Sequence, residues 1–181
     1  MTQVHVWRCQ ICGDTYLGRE CPSECPFCGV HAGYIDLGYC YPSDINNVEI
    51  TDEERADLEY ASDVEITNAT LYKTLGEMGD RNTLIPSAYR ALKKVELEHL
   101  GIFSKLLKKP APTEPIKPLT PQDDWAANIA LSHRREQEAS AFYREAAERA
   151  TTPRVKQVFT AIAEVEADHI AIDEYLQTLV E

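Results

Sequence analysis

Two six-residue segments constrain this chain more than anything else in it: VELEHL at residues 95–100 and VEADHI at 165–170. Each sets a Glu and a His three positions apart between apolar neighbours. In a helix, residues i and i+3 lie about 60° apart around the axis and one turn apart along it, so both side chains share a face. Alternating steps of four and three place Glu96 and His99 in one seam with Tyr89, Leu92 and Phe103. The same steps place Glu166 and His169 with Phe159, Ile162, Asp173 and Leu176. Glu98, Glu164 and Asp168 fall off these seams and are expected in water. Two further seams carry Glu65, with Leu58, Asn68 and Tyr72, and Glu136, with Ile129, Ser132, Ala139 and Tyr143. Each seam thus presents one glutamate at mid-length among apolar positions.

The placement is supported by an internal repeat. Glu65 and Tyr72 recur as Glu136 and Tyr143 at an offset of 71, and Glu96 and His99 recur as Glu166 and His169 at an offset of 70. Four ionised glutamates converging inside a bundle each cost several kcal/mol in desolvation. Two divalent cations supply four positive charges against them, and glutamate with imidazole suits iron or manganese. The spacing predicts that Glu96 with His99 grips one ion and Glu166 with His169 the other, leaving Glu65 and Glu136 to bridge or cap. The alternative for VELEHL alone is a solvated face with His99 as a satisfied core histidine. Tyr72 and Tyr143 read either as core tyrosines bonded to a carboxylate or as residues with a redox or supporting role. His133 reads as exposed, and His5 and His31 lack helical context.

Helix signals frame four segments. Thr51 with Asp52, Glu53 and Glu54 reads as a capping box opening a helix that Gly76 or Gly79 closes. A second helix is expected from about Thr83 to Lys109. Thr120 with Pro121 and Thr152 with Pro153 read as N-cap and first helical residue of the third and fourth. Between the second and third lies PAPTEPIKPLTP, residues 110–121, with five Pro and no Gly. An extended Pro-rich segment gains about 3.1 Å per residue, so it can run the length of a 25-residue helix. The two short connections make antiparallel pairs, and the long crossover joins the pairs. This is the ferritin-like pattern of a four-helix bundle.

The character of the chain changes near residue 50, giving two expected domains, 1–50 and 51–181. All six Cys and five of the eight Gly precede that point. The net charge of -12 argues against nucleic acid and an anionic membrane as partners. No apolar run approaches the length needed to span a bilayer, and the start lacks the basic and apolar regions of a signal peptide. The expectation is a soluble, cytoplasmic protein, whose reduced thiols ligate metal rather than form disulfides. CQIC followed by Gly13 and CPFC followed by Gly29 make two knuckles able to hold four thiolates tetrahedrally around one ion. A Gly after each pair can take positive φ and let backbone N–H groups turn towards sulfur. A structural zinc ribbon satisfies the same spacing. Cys21 lacks the paired geometry, and Cys40 reads as a free thiol.

WRCQICGDTY with CPFCG resembles a rubredoxin-type module, and E-x6-Y, E-x-x-H, E-x6-Y, E-x-x-H in that order resembles the ferritin-like half of rubrerythrins. With the cysteine module first, the chain resembles the reversed-order members. The fold expected is therefore mainly α, a ferritin-like bundle preceded by a small β-rich module. The resemblance implies a tetrathiolate iron at Cys9, Cys12, Cys25 and Cys28, and a di-iron centre at Glu65, Glu96, His99, Glu136, Glu166 and His169. Zinc or manganese can substitute. It further implies a peroxidase reducing hydrogen peroxide, an external donor such as rubredoxin or a reductase, and a homodimer or higher oligomer. In such dimers one subunit's cysteine module commonly lies near the other's di-iron site. One departure bears on this: where many relatives carry a further carboxylate on the third helix, this chain has Ala139. Glu138 points away, and Asn68 takes the equivalent place on the first helix. A symmetrical six-residue set is closer to ferritin-like enzymes, so the alternatives are a ferroxidase or oxygen reductase, or a non-enzymatic metal-binding protein with structural zinc.

Overall fold

A computed structural model describes residues 3–80 and 83–180. Residues 1 and 181, the outer limits of the two expected domains, lie outside the described residues. The chain begins with three short strands, β1 (His5–Cys9), β2 (Thr15–Gly18) and β3 (Ile35–Leu37), in an antiparallel sheet ordered β2-β1-β3. Four helices follow: α1 (Asp52–Leu75), α2 (Leu84–Leu107), α3 (Trp125–Arg149) and α4 (Pro153–Gln177). The protein is mainly helical, with the ferritin-like bundle after the cysteine-rich sheet. Among the described residues no helix is long and apolar enough to cross a membrane.

The capping box at Thr51 forms: its hydroxyl accepts from Glu54 N at 3.1 Å, and the Glu54 carboxylate accepts from Thr51 N at 2.8 Å. Gly76 ends α1. Helix α3 starts later than Thr120 and Pro121 suggest. Asp124 is its N-cap, accepting from Ala127 N at 2.9 Å. The Asn128 amide bonds both backbone groups of Gln122 at 2.8 Å, which holds that residue outside the helix. Thr152 does sit at the N-cap of α4 with Pro153 at the first helical position, but its side chain caps nothing in its own helix.

Side-chain contacts fix the helix directions. Lys109 meets Glu59 while Arg90 meets Gly76, so α1 and α2 run antiparallel. His133 meets Glu174 while Ser140 meets Ala163, which makes α3 and α4 antiparallel too. Asp57 with Arg149, and Tyr72 with Ser132, set α1 antiparallel to α3. Helices α2 and α3 therefore run the same way, and residues 108–124 must travel the length of the bundle. On the way Ile116 N donates to Asp63 on α1 at 2.8 Å.

The apolar interior falls into two clusters. One holds Phe103, Tyr143, Phe159 and Ile162 and continues without a break into Cys9, Ile11 and Val30 of the sheet segment. The other holds Leu71, Tyr72, Tyr89, Ile129 and Leu176. Glu65, Glu96, Glu136 and Glu166 lie in sequence between the two sets on all four helices. The sheet thus shares a core with one end of the bundle, and a charged layer separates it from the other cluster.

Candidate metal centres

Local backbone geometry builds the cysteine site. Gly13 and Gly29 have φ of +88° and +78°, as each knuckle requires. Their N–H groups donate to the carbonyls of Cys9 and Cys25 at 3.0 and 2.9 Å. The reversal turns Ile11 N towards Cys9 Sγ and Asp14 N towards Cys12 Sγ, both at 3.4 Å. Gly29 is also needed for packing, because a Cβ there would come within 2.8 Å of Val165 on α4. The Cys9–Cys28 and Cys12–Cys25 sulfurs are 3.7 and 3.8 Å apart. A tetrahedron with metal–sulfur bonds of about 2.3 Å has edges of about 3.8 Å, so the cage fits one ion. All four cysteines are buried, whereas Cys40 is exposed and Cys21 half-buried. All six are free thiols.

The bundle site is assembled from all four helices. Glu65, Glu96, His99, Glu136 and Glu166 have no exposed surface, and His169 has 3%. They make two groups whose ligand atoms lie within 4.8 Å of one another: Glu65, Glu96, His99 and Glu166, and Glu96, Glu136, Glu166 and His169. Glu96 and Glu166 belong to both. The expected pairs stay together, Glu96 with His99 in the first group and Glu166 with His169 in the second, and the two glutamates in addition belong to both groups, with Glu65 in one and Glu136 in the other. The cause is the helix crossing. His99 Nδ1 is 3.2 Å from Glu166 on the opposite helix but 3.9 Å from Glu96 on its own. His169 Nδ1 likewise sits 3.2 Å from Glu96 Oε1, though it keeps Glu166 at 3.0 Å.

The electrostatics call for cations. Oxygens of all four glutamates and His99 Nδ1 are buried without a hydrogen bond. Burial, then the charge of Glu166, pushes Glu136 up to about 8, and the same causes push Glu96 well above the carboxylate range. Burial opposes a charge on His99, but Glu65 and Glu166 outweigh it and lift the imidazole to about 10. Without metal the cage holds protons that two divalent ions would displace. Orphaned oxygens and imidazole nitrogens are the donors such ions require, so the residues fit a dinuclear centre.

The tyrosines cross between halves. Tyr72 on α1 donates to Glu136 on α3, and Tyr143 on α3 donates to Glu65 on α1 at 2.6 Å. Burial first, then the facing carboxylates, holds both phenols well above their usual range, so each remains a donor. Ser132 donates to Tyr72 at 3.0 Å, and Tyr89 to Asp173 at 3.1 Å. These three polar residues lay on the inward seams, which was the signal for them. Ala139 is buried, whereas Glu138 turns out to Arg135 at 3.2 Å, and Arg135 also holds Asn68. No further carboxylate among the described residues joins the six. Glu98 is half-buried rather than solvated, because the cysteine segment covers it: burial and Asp14 raise its pKa.

The two sites touch within one chain. His99 Nε2 donates to the Cys28 carbonyl at 2.9 Å. Lys105 and Arg154 reach the carbonyls of Cys12 and Ile11 at 2.6 and 3.1 Å, two contacts for which the sequence held no signal. His31 pairs with Asp168 at 2.7 Å, clamping the cysteine segment to α4. His133 is partly covered beside Glu174, and His5 packs on Trp7.

No curated protein and no solved structure matches the chain. A family model described as Rubrerythrin matches residues 57–172, more than half of it. That span contains every residue of the bundle site, and with the four-cysteine cage before it the chain belongs to the rubrerythrin family.

Proposed function

We propose that this protein is a non-haem di-iron peroxidase, reducing hydrogen peroxide with two electrons and two protons to two waters. The observation that carries this reading is the hydrogen bond from His99 to Cys28, which joins the two candidate metal centres. Iron held by the four glutamates and two histidines would supply the electrons for cleaving the O–O bond, and iron held by Cys9, Cys12, Cys25 and Cys28 would store one electron at a time. The protein's own residues do the rest. Glu96 and Glu166, which belong to both groups, would help hold both ions, Glu65 and Glu136 would each complete one group, and His99 and His169 turn Nδ1 towards the carboxylates. Tyr72 and Tyr143 orient the capping carboxylates and keep a proton on each hydroxyl. The bond from His99 makes a route of covalent links and one hydrogen bond from Cys28 Sγ to the imidazole. Because both ends are in one chain, the route needs no partner subunit. The oxidant reaches the centre past His169, which borders a cavity of about 410 Å³ lined by Leu92, Val95, Val165 and Ile172. A rubredoxin or a reductase is the proposed donor.

A second reading, ferroxidase or oxygen reductase, is favoured by one observation: Ala139 leaves a symmetrical six-residue cage. Anaerobic stopped-flow of the reduced protein against peroxide and against dioxygen separates the two. Peroxide is expected to reoxidise the thiolate-iron band faster, and a Glu96→Ala, Glu166→Ala variant is expected to lose that rate. Equal rates in wild type and variant would overturn the relay. Colourless protein after iron-replete expression would leave structural zinc instead.

A further inference from the structure

Basic groups surround the cysteine cage in a chain whose net charge is -12. Four side chains donate to knuckle carbonyls: Arg8 to Gly13 at 2.8 Å, Lys105 to Cys12 at 2.6 Å, His99 to Cys28 at 2.9 Å and Arg154 to Ile11 at 3.1 Å. Three of the four come from the bundle. They are not equivalent. Arg8 is half-buried with its guanidinium over the Tyr41 ring. Lys105 is exposed, and its charge is shared with Glu98, beside which Asp14 also lies. Arg154 is only 6% exposed, and its other partners are neutral: Asn46 Oδ1 at 3.0 Å and Gln157 Oε1 at 2.7 Å. Among the described residues no carboxylate pairs with it.

A buried guanidinium without an anion costs several kcal/mol. Burial lowers the pKa of Arg154, and the groups that work against this are Tyr41, Cys9 and Cys12. Arg154 Nη2 bonds the carbonyl of Ile11, between Cys9 and Cys12, so the anionic groups nearest to it are the thiolates that would hold the metal. We propose that Arg154 is the buried counter-ion of the tetrathiolate centre and that through it the bundle raises the reduction potential there, a proposal that rests on iron occupying the four cysteines. Four thiolates around ferric iron carry one net negative charge, and around ferrous iron two. Reduction adds one electron from the external donor and no proton, so a fixed cation favours the reduced form. Arg154 belongs to α4, so the bias acts only while the cysteine segment is seated on the bundle.

The test uses full-length Arg154→Gln, Arg154→Lys and Lys105→Gln, loaded with iron and titrated through the ferric-thiolate absorption. In Arg154→Gln the equilibrium constant for reduction is expected to fall about tenfold, which is about 59 mV for one electron. Arg154→Lys keeps the charge and is expected to stay within about threefold of wild type. Lys105→Gln is expected to fall less than Arg154→Gln, because Glu98 already offsets that charge. Equal potentials in wild type and Arg154→Gln overturn the proposal. An equal fall in both Arg154 variants also overturns it, since lost packing would then be the cause. Should Arg154→Gln fail to fold, Arg154→Lys decides: a potential within about threefold of wild type supports the proposal, and a tenfold fall overturns it. Should the cysteines hold no iron, that reading fails separately, and cobalt(II) titration decides the counter-ion. Weaker cobalt binding in Arg154→Gln supports it, and equal affinity overturns it.

Discussion

The α1–α2 and α3–α4 halves of the bundle carry the same donor residues, yet their surroundings differ. Glu65, Tyr72, Glu96 and His99 match Glu136, Tyr143, Glu166 and His169, and the tyrosine bonds are exchanged reciprocally between halves. The difference is in what covers each histidine. His99 is sealed by the Cys28 carbonyl, whereas His169 borders a cavity. A repeat can double a metal site, but one docked segment is enough to give its halves different surroundings. One histidine is closed off by the cysteine segment, and the other, though buried, borders a cavity.

The largest test of this comparison is metal content. Because Glu96 and Glu166 belong to both groups, Glu96→Ala with Glu166→Ala is expected to empty both bundle positions. Glu65→Ala or Glu136→Ala is expected to remove about one ion, and elemental analysis per chain checks it. Equal losses from shared and capping variants would mean that the halves bind independently. Stripping the wild type with a chelator removes a ligand held far above its Kd, worth about 4 kcal/mol at a thousandfold excess, so Tm is expected to drop by roughly 10 °C.

Glu54 ties the halves together at their ends. It caps α1 and also accepts from Thr151 N at 2.9 Å and Thr152 N at 2.7 Å, at the start of α4. Burial disfavours its charge, but the bonds from Thr51 and Thr152 prevail and hold the carboxyl down at about 2. A depressed carboxylate stabilises the fold above its unfolded value near 4.5, and that stability is lost as pH falls towards about 2. Glu54→Ala is expected to cost roughly 3 kcal/mol at pH 7. Thermal melts from pH 7 to 3 should show wild type and variant converging below about pH 4.5. A gap independent of pH would remove the charge from the explanation.

The tyrosines sharpen the comparison further. Tyr72 serves Glu136 and Ser132, but Tyr143 serves Glu65 alone. Tyr72→Phe is therefore expected to destabilise the metal-free protein by about 2 kcal/mol and Tyr143→Phe by about 1 kcal/mol in denaturant melts. The smallest effect belongs to Lys109 and Glu59, an exposed pair within one half at 2.7 Å. Lys109→Met is expected to leave the melting curve almost unchanged, with any difference vanishing at high salt.

Much of the bundle was legible because helical periodicity is a local rule. Step counting put six ligands, two tyrosines, Ser132 and Asp173 on inward faces, and all are buried. The cysteine cage was legible for the same reason, since each knuckle closes within five residues around a positive-φ glycine. Other features lay outside that rule. The start of α3 depended on Asn128 holding Gln122, and the half-burial of Glu98 depended on the segment around Asp14, far away in sequence.

Spacing and backbone preference act over a turn or two, and they were enough to mark the inward seams, the two cysteine knuckles and the Pro-rich crossover between two helix pairs. How the elements pack settled that Glu96 and Glu166 belong to both groups, that His99 meets Cys28, and that Arg154 is buried against the Ile11 carbonyl. Those outcomes depend on how helices cross and where the sheet docks. Such placement is set by the summed packing of the two apolar clusters, which no short stretch of the chain encodes.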